Sequence, residues 1–99
     1  MRDDLKNMIE GFQDACEQVN GEYKQTRELH QCRVKTDNGV RKMTFDRKKG
    51  EANIGGNIGL FGTVKPESID FQKGKGFDED RIIAKEDETT QIVLEGEYY

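Results

Sequence analysis

Three residues of this chain have types that could do chemistry together: His30, Cys32 and Cys16. His30 and Cys32 are two apart, so in an extended strand both project from one face, and the helix that should pack there offers Cys16. Free cysteine is among the most buried residue types and a reducing cytoplasm keeps it a thiol, so two small core residues are the default reading. A Cys16–Cys32 disulfide joining helix to sheet comes second, because two cysteines facing one interior can come within bridging distance. A metal site or a Cys–His nucleophile comes last: zinc wants a fourth ligand, its usual paired spacings are absent, and a thiolate here lacks an evident oxyanion hole. Neither metal nor cofactor is expected. His30 is placed at a sheet edge near Arg47.

Two glycine motifs invite a ligand and fall short of one. GGNIGLFG lacks the Gly-Lys-Ser/Thr ending of a phosphate loop and no helix start follows it. GKGFDED forms no dinucleotide fingerprint, and counted as a calcium loop from Asp70 its sixth position is Lys75 and its twelfth Arg81, where glycine and glutamate are needed. The carboxylates Asp78, Glu79, Asp80 and Glu86, Asp87, Glu88 are by default solvated loops, and acid–base work would need a cleft and a burial asymmetry.

The net charge of −4 is unevenly distributed. Residues 1 to 21 carry −3, residues 22 to 50 carry +5, and residues 51 to 99 carry −6. An acidic total disfavours bulk adsorption to nucleic acid, while the basic middle keeps a local anion-binding face open. Mean hydropathy is −0.96 with 32 % hydrophobic residues, yet eleven glycines, eight aromatics and clear periodicity indicate a folded domain. The acidic start and the absence of any apolar run near ~20 residues lead to the expectation of one cytoplasmic domain, residues 1–99, with no membrane contact.

The elements that must position these residues follow from periodicity. Leu5, Met8, Ile9, Phe12, Ala15, Cys16 and Val19 recur at the spacings of one helical face, which predicts a helix over 3–19 with acidic residues at its start and Asn20-Gly21 as its left-handed stop. Gly11 lies next to that face and implies a close approach to the sheet. Asn38-Gly39 predicts a tight hairpin in which Asp37 faces Val40, Val34 faces Met43 and Cys32 faces Phe45, with Lys35 opposite Lys42. After a turn over 48–51, with Gly50 at positive φ, the uncharged run 52–64 is read as a central curved strand that its glycines bend or split, with Ile54 opposite Phe45. A turn at 65–68 with Pro66 at its second position would set Val64 against Ile69. Residues 72–81 have no period and are read as a loop. A last hairpin sets Ala84 against Ile92 and Ile82 against Leu94, leaving Ile83 and Val93 on the opposite face, covered on both sides or at a dimer surface. Tyr98 and Tyr99 could belong to a partner surface.

The resulting fold class is α+β: an N-terminal helix on the concave face of a curved five- or six-stranded antiparallel meander. With one histidine, one serine and no nucleophile arrangement, the leading expectation is a non-catalytic binding protein, an inhibitor or adaptor. It would contact another protein, such as a nucleic-acid enzyme, through Asp78, Glu79, Asp80, Glu86, Asp87 and Glu88. The alternative is nucleic-acid binding by the basic hairpin 22–50, through Lys35, Arg41, Lys42, Arg47, Lys48 and Lys49, with Lys24, Arg27 and Arg33 in support and Tyr23 stacking. A lipophilic-ligand carrier, with a pocket beneath the helix, is the third. Either a monomer or a homodimer is compatible with these readings.

Overall fold

The computed structural model describes residues 3–36, 39–56 and 60–96; Asp37, Asn38, Ile58, Tyr98 and Tyr99 lie outside that range. Helix α1 spans Asp3–Gln18, with Asp3 and Asp4 in its first turn where the dipole favours negative charge. Its end is a Schellman motif: Gly21 N–H donates to Cys16 O at 2.8 Å and Asn20 N–H to Glu17 O at 3.1 Å. Asn20, at φ 60°, is the left-handed residue. Gly21 has a different task, because a Cβ there would lie 2.5 Å from Cys32 Sγ and 2.9 Å from Cys16 Sγ.

Eight strands follow: β1 (Glu22–Thr26), β2 (Leu29–Thr36), β3 (Gly39–Asp46), β4 (Glu51–Gly56), β5 (Leu60–Val64), β6 (Ser68–Gln72), β7 (Arg81–Lys85) and β8 (Gln91–Glu95). The first five form one antiparallel meander and the last three a second. The chain is therefore α+β, but with two sheets where the sequence suggests one.

Each departure from the expected meander has a local cause. In the β2–β3 hairpin Thr36 pairs with Gly39, so Cys32 faces Met43 and Val34 faces Arg41, an offset of two residues from the expected register. Gly39 closes the turn at φ 106°, and the Thr36 hydroxyl donates to its carbonyl at 2.7 Å. The β3–β4 register is offset by two in the same way: Met43 faces Ile54 and Phe45 faces Ala52. Asp46 organises that turn, its Oδ1 accepting from Lys48 N–H at 2.9 Å and Lys49 N–H at 3.1 Å, with Gly50 at φ 68°. An offset of two leaves every side chain on its intended face.

The uncharged run is a hairpin rather than one curved strand: β4 and β5 pair with each other, with a register shift at Ile54/Gly55. At Pro66 the chain leaves the first sheet. Lys65 N–H donates to Glu86 Oε1 and Glu67 N–H to Lys85 O, both at 2.7 Å, so this link bonds to β7 and its following turn, and Val64 and Ile69 lie on strands of different sheets instead of pairing. The final hairpin has the expected register, Ala84 with Ile92 and Ile82 with Leu94. Its turn is built by Asp87 Oδ1, which accepts from Thr89 N–H, Thr90 N–H and the Thr89 hydroxyl.

The core gathers Phe12 and Ala15 from the helix, Val34, Met43 and Phe45 from the large sheet, and Ile69, Ile82 and Leu94 from the small one. Ile92 joins the two sheets, its Cγ2 standing 3.4 Å from where a Cβ on Gly62 would be. Along β6 the helix comes so close that a Cβ at Gly11 would lie 2.8 Å from Ile69 O. The free edge of β6 is thus covered by α1. Gly11→Ala, which raises helix propensity by about 1 kcal/mol, is expected to lower stability by about 1–3 kcal/mol through overpacking. A urea midpoint that stays constant or rises would show that α1 can move off β6.

Candidate functional site

The three residues of chemical interest do come together, and they form a structural junction. Cys16 and Cys32 are bonded as a disulfide with Cα atoms 5.7 Å apart, both fully buried, which overturns the default reading of two free thiols. Sulfurs bonded to each other offer neither a nucleophile nor a metal ligand. Among the described residues no three His, Cys, Asp or Glu side chains gather as metal ligands.

His30 is not at a sheet edge. It sits on β2, between β1 and β3, at 1 % exposure, with the rings of Tyr23 and Phe45 on either side at 6.1 and 6.4 Å. Its Nδ1 is hydrogen-bonded to the Tyr23 hydroxyl at 2.6 Å, while its buried Nε2 has no partner. Burial, assisted by the Arg47 guanidinium, lowers the imidazole pKa below 6.5; burial raises that of the Tyr23 phenol above 10.0. Both groups are held neutral. Parity with Cys32 and Val34 already placed His30 on the inner face.

The basic hairpin does not form one patch. Arg33, Lys35 and Lys42 are exposed on the outer face of the large sheet. Arg41 pairs with Val34 and so belongs to the opposite face. Arg47 supports the β1–β2 turn, its guanidinium donating to Arg27 O at 3.0 Å. Lys48 and Lys49 lie in the β3–β4 turn, about 20 Å along the strand from Lys42.

The acidic residues divide similarly, at opposite ends of β7 and about 20 Å apart. Several have structural tasks. Asp80 Oδ1 accepts from Gly74 N–H at 2.8 Å, Glu86 holds the link at Lys65, Asp87 builds its own turn, and Glu88 pairs with Lys85 at 3.3 Å. The Thr89 and Thr90 donors hold the Asp87 carboxyl below its ordinary pKa of 3.8. Asp78 and Glu79 remain beside a residue that periodicity did not single out. Phe77 is 94 % exposed, an aromatic in a run of glycine and charge outside any periodic segment.

Hydrogen bonds and glycines define the backbone of loop 73–80 around that ring. Asp78 N–H donates to Lys75 O at 3.1 Å, closing a turn whose first central residue, Gly76, has φ 64° as a type II′ turn requires. A Cβ at Gly74 would overlap Asp78 O and lie 2.7 Å from Glu79 O. At the base of the loop Asp80 O accepts from Gly96 N–H at 2.7 Å. Beneath the middle of the helix Phe12, Met43 and Phe45 are buried in the core, and at its N-terminal end Leu5, Met8, Phe45 and Pro66 line a partly open pocket of about 380 Å³. Ile83 and Val93 are half-buried on the outer face of the small sheet, where Ile83 borders an open groove of about 400 Å³. No protein family, curated protein or solved structure matches the chain.

Two outcomes test this junction. With the cysteines 16 positions apart in sequence, reducing the disulfide is expected to cost about 3 kcal/mol, read as a lower urea midpoint that a Cys16→Ala/Cys32→Ala variant does not show on adding reductant. A wild-type midpoint indifferent to reductant would mean free thiols. For His30, the unfolded chain takes up a proton before the folded one does, so stability is complete above pH 6.5 and declines as pH falls through and below it. Wild type should lose stability between pH 7.5 and 5.5, and His30→Phe should be nearly flat there; equal slopes would place that sensitivity elsewhere.

Proposed function

We propose that the protein is a small non-catalytic binding protein that engages another protein through loop 73–80, with Phe77 as the anchor and Asp78 and Glu79 meeting a basic rim around it. The observation that carries this reading is Phe77, 94 % exposed at the tip of a hydrogen-bonded turn. A single exposed apolar side chain is ordinary. Here, however, two glycines and the Asp80 carboxylate shape the backbone that displays it, and aromatic side chains are enriched at interfaces. A protruding ring flanked by charge suits insertion into a cleft, the geometry of an inhibitor or adaptor. The non-catalytic part of the reading is supported by the placement of the reactive types: the histidine is buried and both cysteines are bonded.

Among the described residues no helix is long and apolar enough to cross a membrane. A cytoplasmic setting is the default from the sequence, but it would keep thiols reduced; the Cys16–Cys32 bond favours an oxidising compartment.

The test places a photoreactive benzoylphenylalanine at position 77 and irradiates it in an extract of the source cells. A discrete adduct is expected, lost on adding Asp78→Lys and Glu79→Lys and competed by excess wild type. Separately, Phe77→Ala should change stability by less than about 0.5 kcal/mol, as for any surface substitution without packing. An adduct insensitive to charge reversal and competitor, or a marked loss of stability in Phe77→Ala, would overturn the proposal.

A further inference from the structure

The outer face of β1–β5 carries a charge arrangement that the fold alone does not explain. Arg33 and Lys42 are direct cross-strand partners, both exposed. Like charges facing each other across a sheet are destabilising. Lys24 is diagonal to Arg33, because Glu22 pairs with Arg33 and Lys24 with Gln31. Lys35 is diagonal to Lys42, because it pairs with Val40. Cross-strand neighbours of this kind are about 5–8 Å apart, so the four cations form one contiguous corner.

Neutralisation from within the sheet is slight. In these described rows Glu22 faces Arg33, but on its far side Lys42 faces Gly55, which has no side chain. The next row along the face is polar and uncharged past Lys24: Gln31, Thr44, Asn53 and Thr63 in register across four strands. Gln31 Nε2 reaches Thr44 Oγ1 at 3.5 Å, and the Thr63 hydroxyl donates to Asn53 Oδ1 at 2.7 Å. Amide and hydroxyl groups beside a cationic row are what contacts to phosphate and sugar use.

We infer that this corner, Lys24, Arg33, Lys35 and Lys42, is a binding site for the phosphodiester backbone of a nucleic acid, separate from loop 73–80. The ladder sets its cations about 5–8 Å apart along one line across three strands, a spacing that suits the closely repeated charge of a phosphate backbone. What the described rows offer is charge with amide and hydroxyl groups, which contact the phosphate and sugar of a nucleic acid. Lys48 and Lys49, at the far end of β3, take no part. This is where the structure departs from a reading of the whole basic segment as one surface.

Fluorescence anisotropy with labelled mixed-sequence single-stranded DNA, single-stranded RNA and duplex DNA, at two salt concentrations, tests it. Binding is expected at low salt, weakening with a log–log slope no steeper than about −3 for single strands, which corresponds to four phosphate contacts. Lys42→Glu places a carboxylate opposite Arg33, so it should reduce affinity at least tenfold while the thermal midpoint holds or rises. Gain of stability with loss of binding separates a lost site from a damaged fold. The Lys48→Glu/Lys49→Glu variant should bind within twofold of wild type. No binding at low salt, binding of inorganic polyphosphate alone, or equal losses in the two variants would overturn the inference.

Discussion

The disulfide between Cys16 and Cys32 joins the last turn of α1 to the second strand, and the interior is arranged around that junction. The helix must end within a residue or two of the bond, and the Schellman motif achieves it by placing Asn20 in the left-handed region. The chain then returns over the sulfurs with no room for a side chain, so Gly21 is required by contact and not by conformation. Tyr23, the register partner of Cys32, follows immediately and carries its hydroxyl to His30. Phe12 meets the edge of the Tyr23 ring at 6.0 Å, so a chain of rings runs from helix to sheet beside the bond: Phe12, Tyr23, His30, Phe45. A polar pair persists in this core because burial keeps both groups neutral and one hydrogen bond joins the Tyr23 hydroxyl to His30 Nδ1, while His30 Nε2 goes without a partner.

The second constraint is the shortage of apolar residues. A flat eight-stranded sheet would need a continuous covering layer, and at 32 % hydrophobic the chain has too little apolar surface to supply one. Folding the last three strands back as a separate sheet lets β8 pack over β3, β4 and β5 while α1 lies against β1 and β2, with Ile92 over Gly62. The switch occurs at Pro66, a residue without an N–H, flanked by two backbone amides that find acceptors on β7 and its turn. The helix then lies along β6 and covers its exposed edge, the position that would otherwise invite pairing with another chain.

What was legible in the sequence was parity, and what was not was offset and partnership. Alternation placed Cys32, Val34, Met43, Phe45, Ala52 and Ile54 on one face, because moving any of them outward exposes a whole strand. Nothing in alternation distinguishes registers two residues apart, so the choice fell to turn chemistry: the Thr36 hydroxyl on Gly39 O in one hairpin, Asp46 on two lysine amides in the next. The glycine-rich run is apolar at every other position whether it continues straight or turns back, so its period could not reveal a hairpin. The pairing of Val64 with Ile69 was plausible locally and depended on where Glu86 and Lys85 would lie, which is long-range information. Gly11 was readable because a glycine inside a strong helix has few explanations besides contact.

For the charged residues, counts along the chain say less than the tasks the fold assigns. Asp46, Asp80, Glu86 and Asp87 accept backbone hydrogen bonds and Arg47 donates one, so each is part of a turn or loop base whatever the protein binds. A group that holds a turn can contact a partner only at the expense of that turn. Among the charged groups that remain, two sets stand out as neighbours on one surface: Asp78 and Glu79 beside the displayed Phe77 ring, and the cations around Arg33 and Lys42. The first set rests on a backbone that only glycine permits at two points, the second on a like-charge pair whose described cross-strand neighbours include one carboxylate, Glu22. In each case the local rule that favours stability yields at a surface position. Those are the positions where recognition has the most to gain and packing the least to lose.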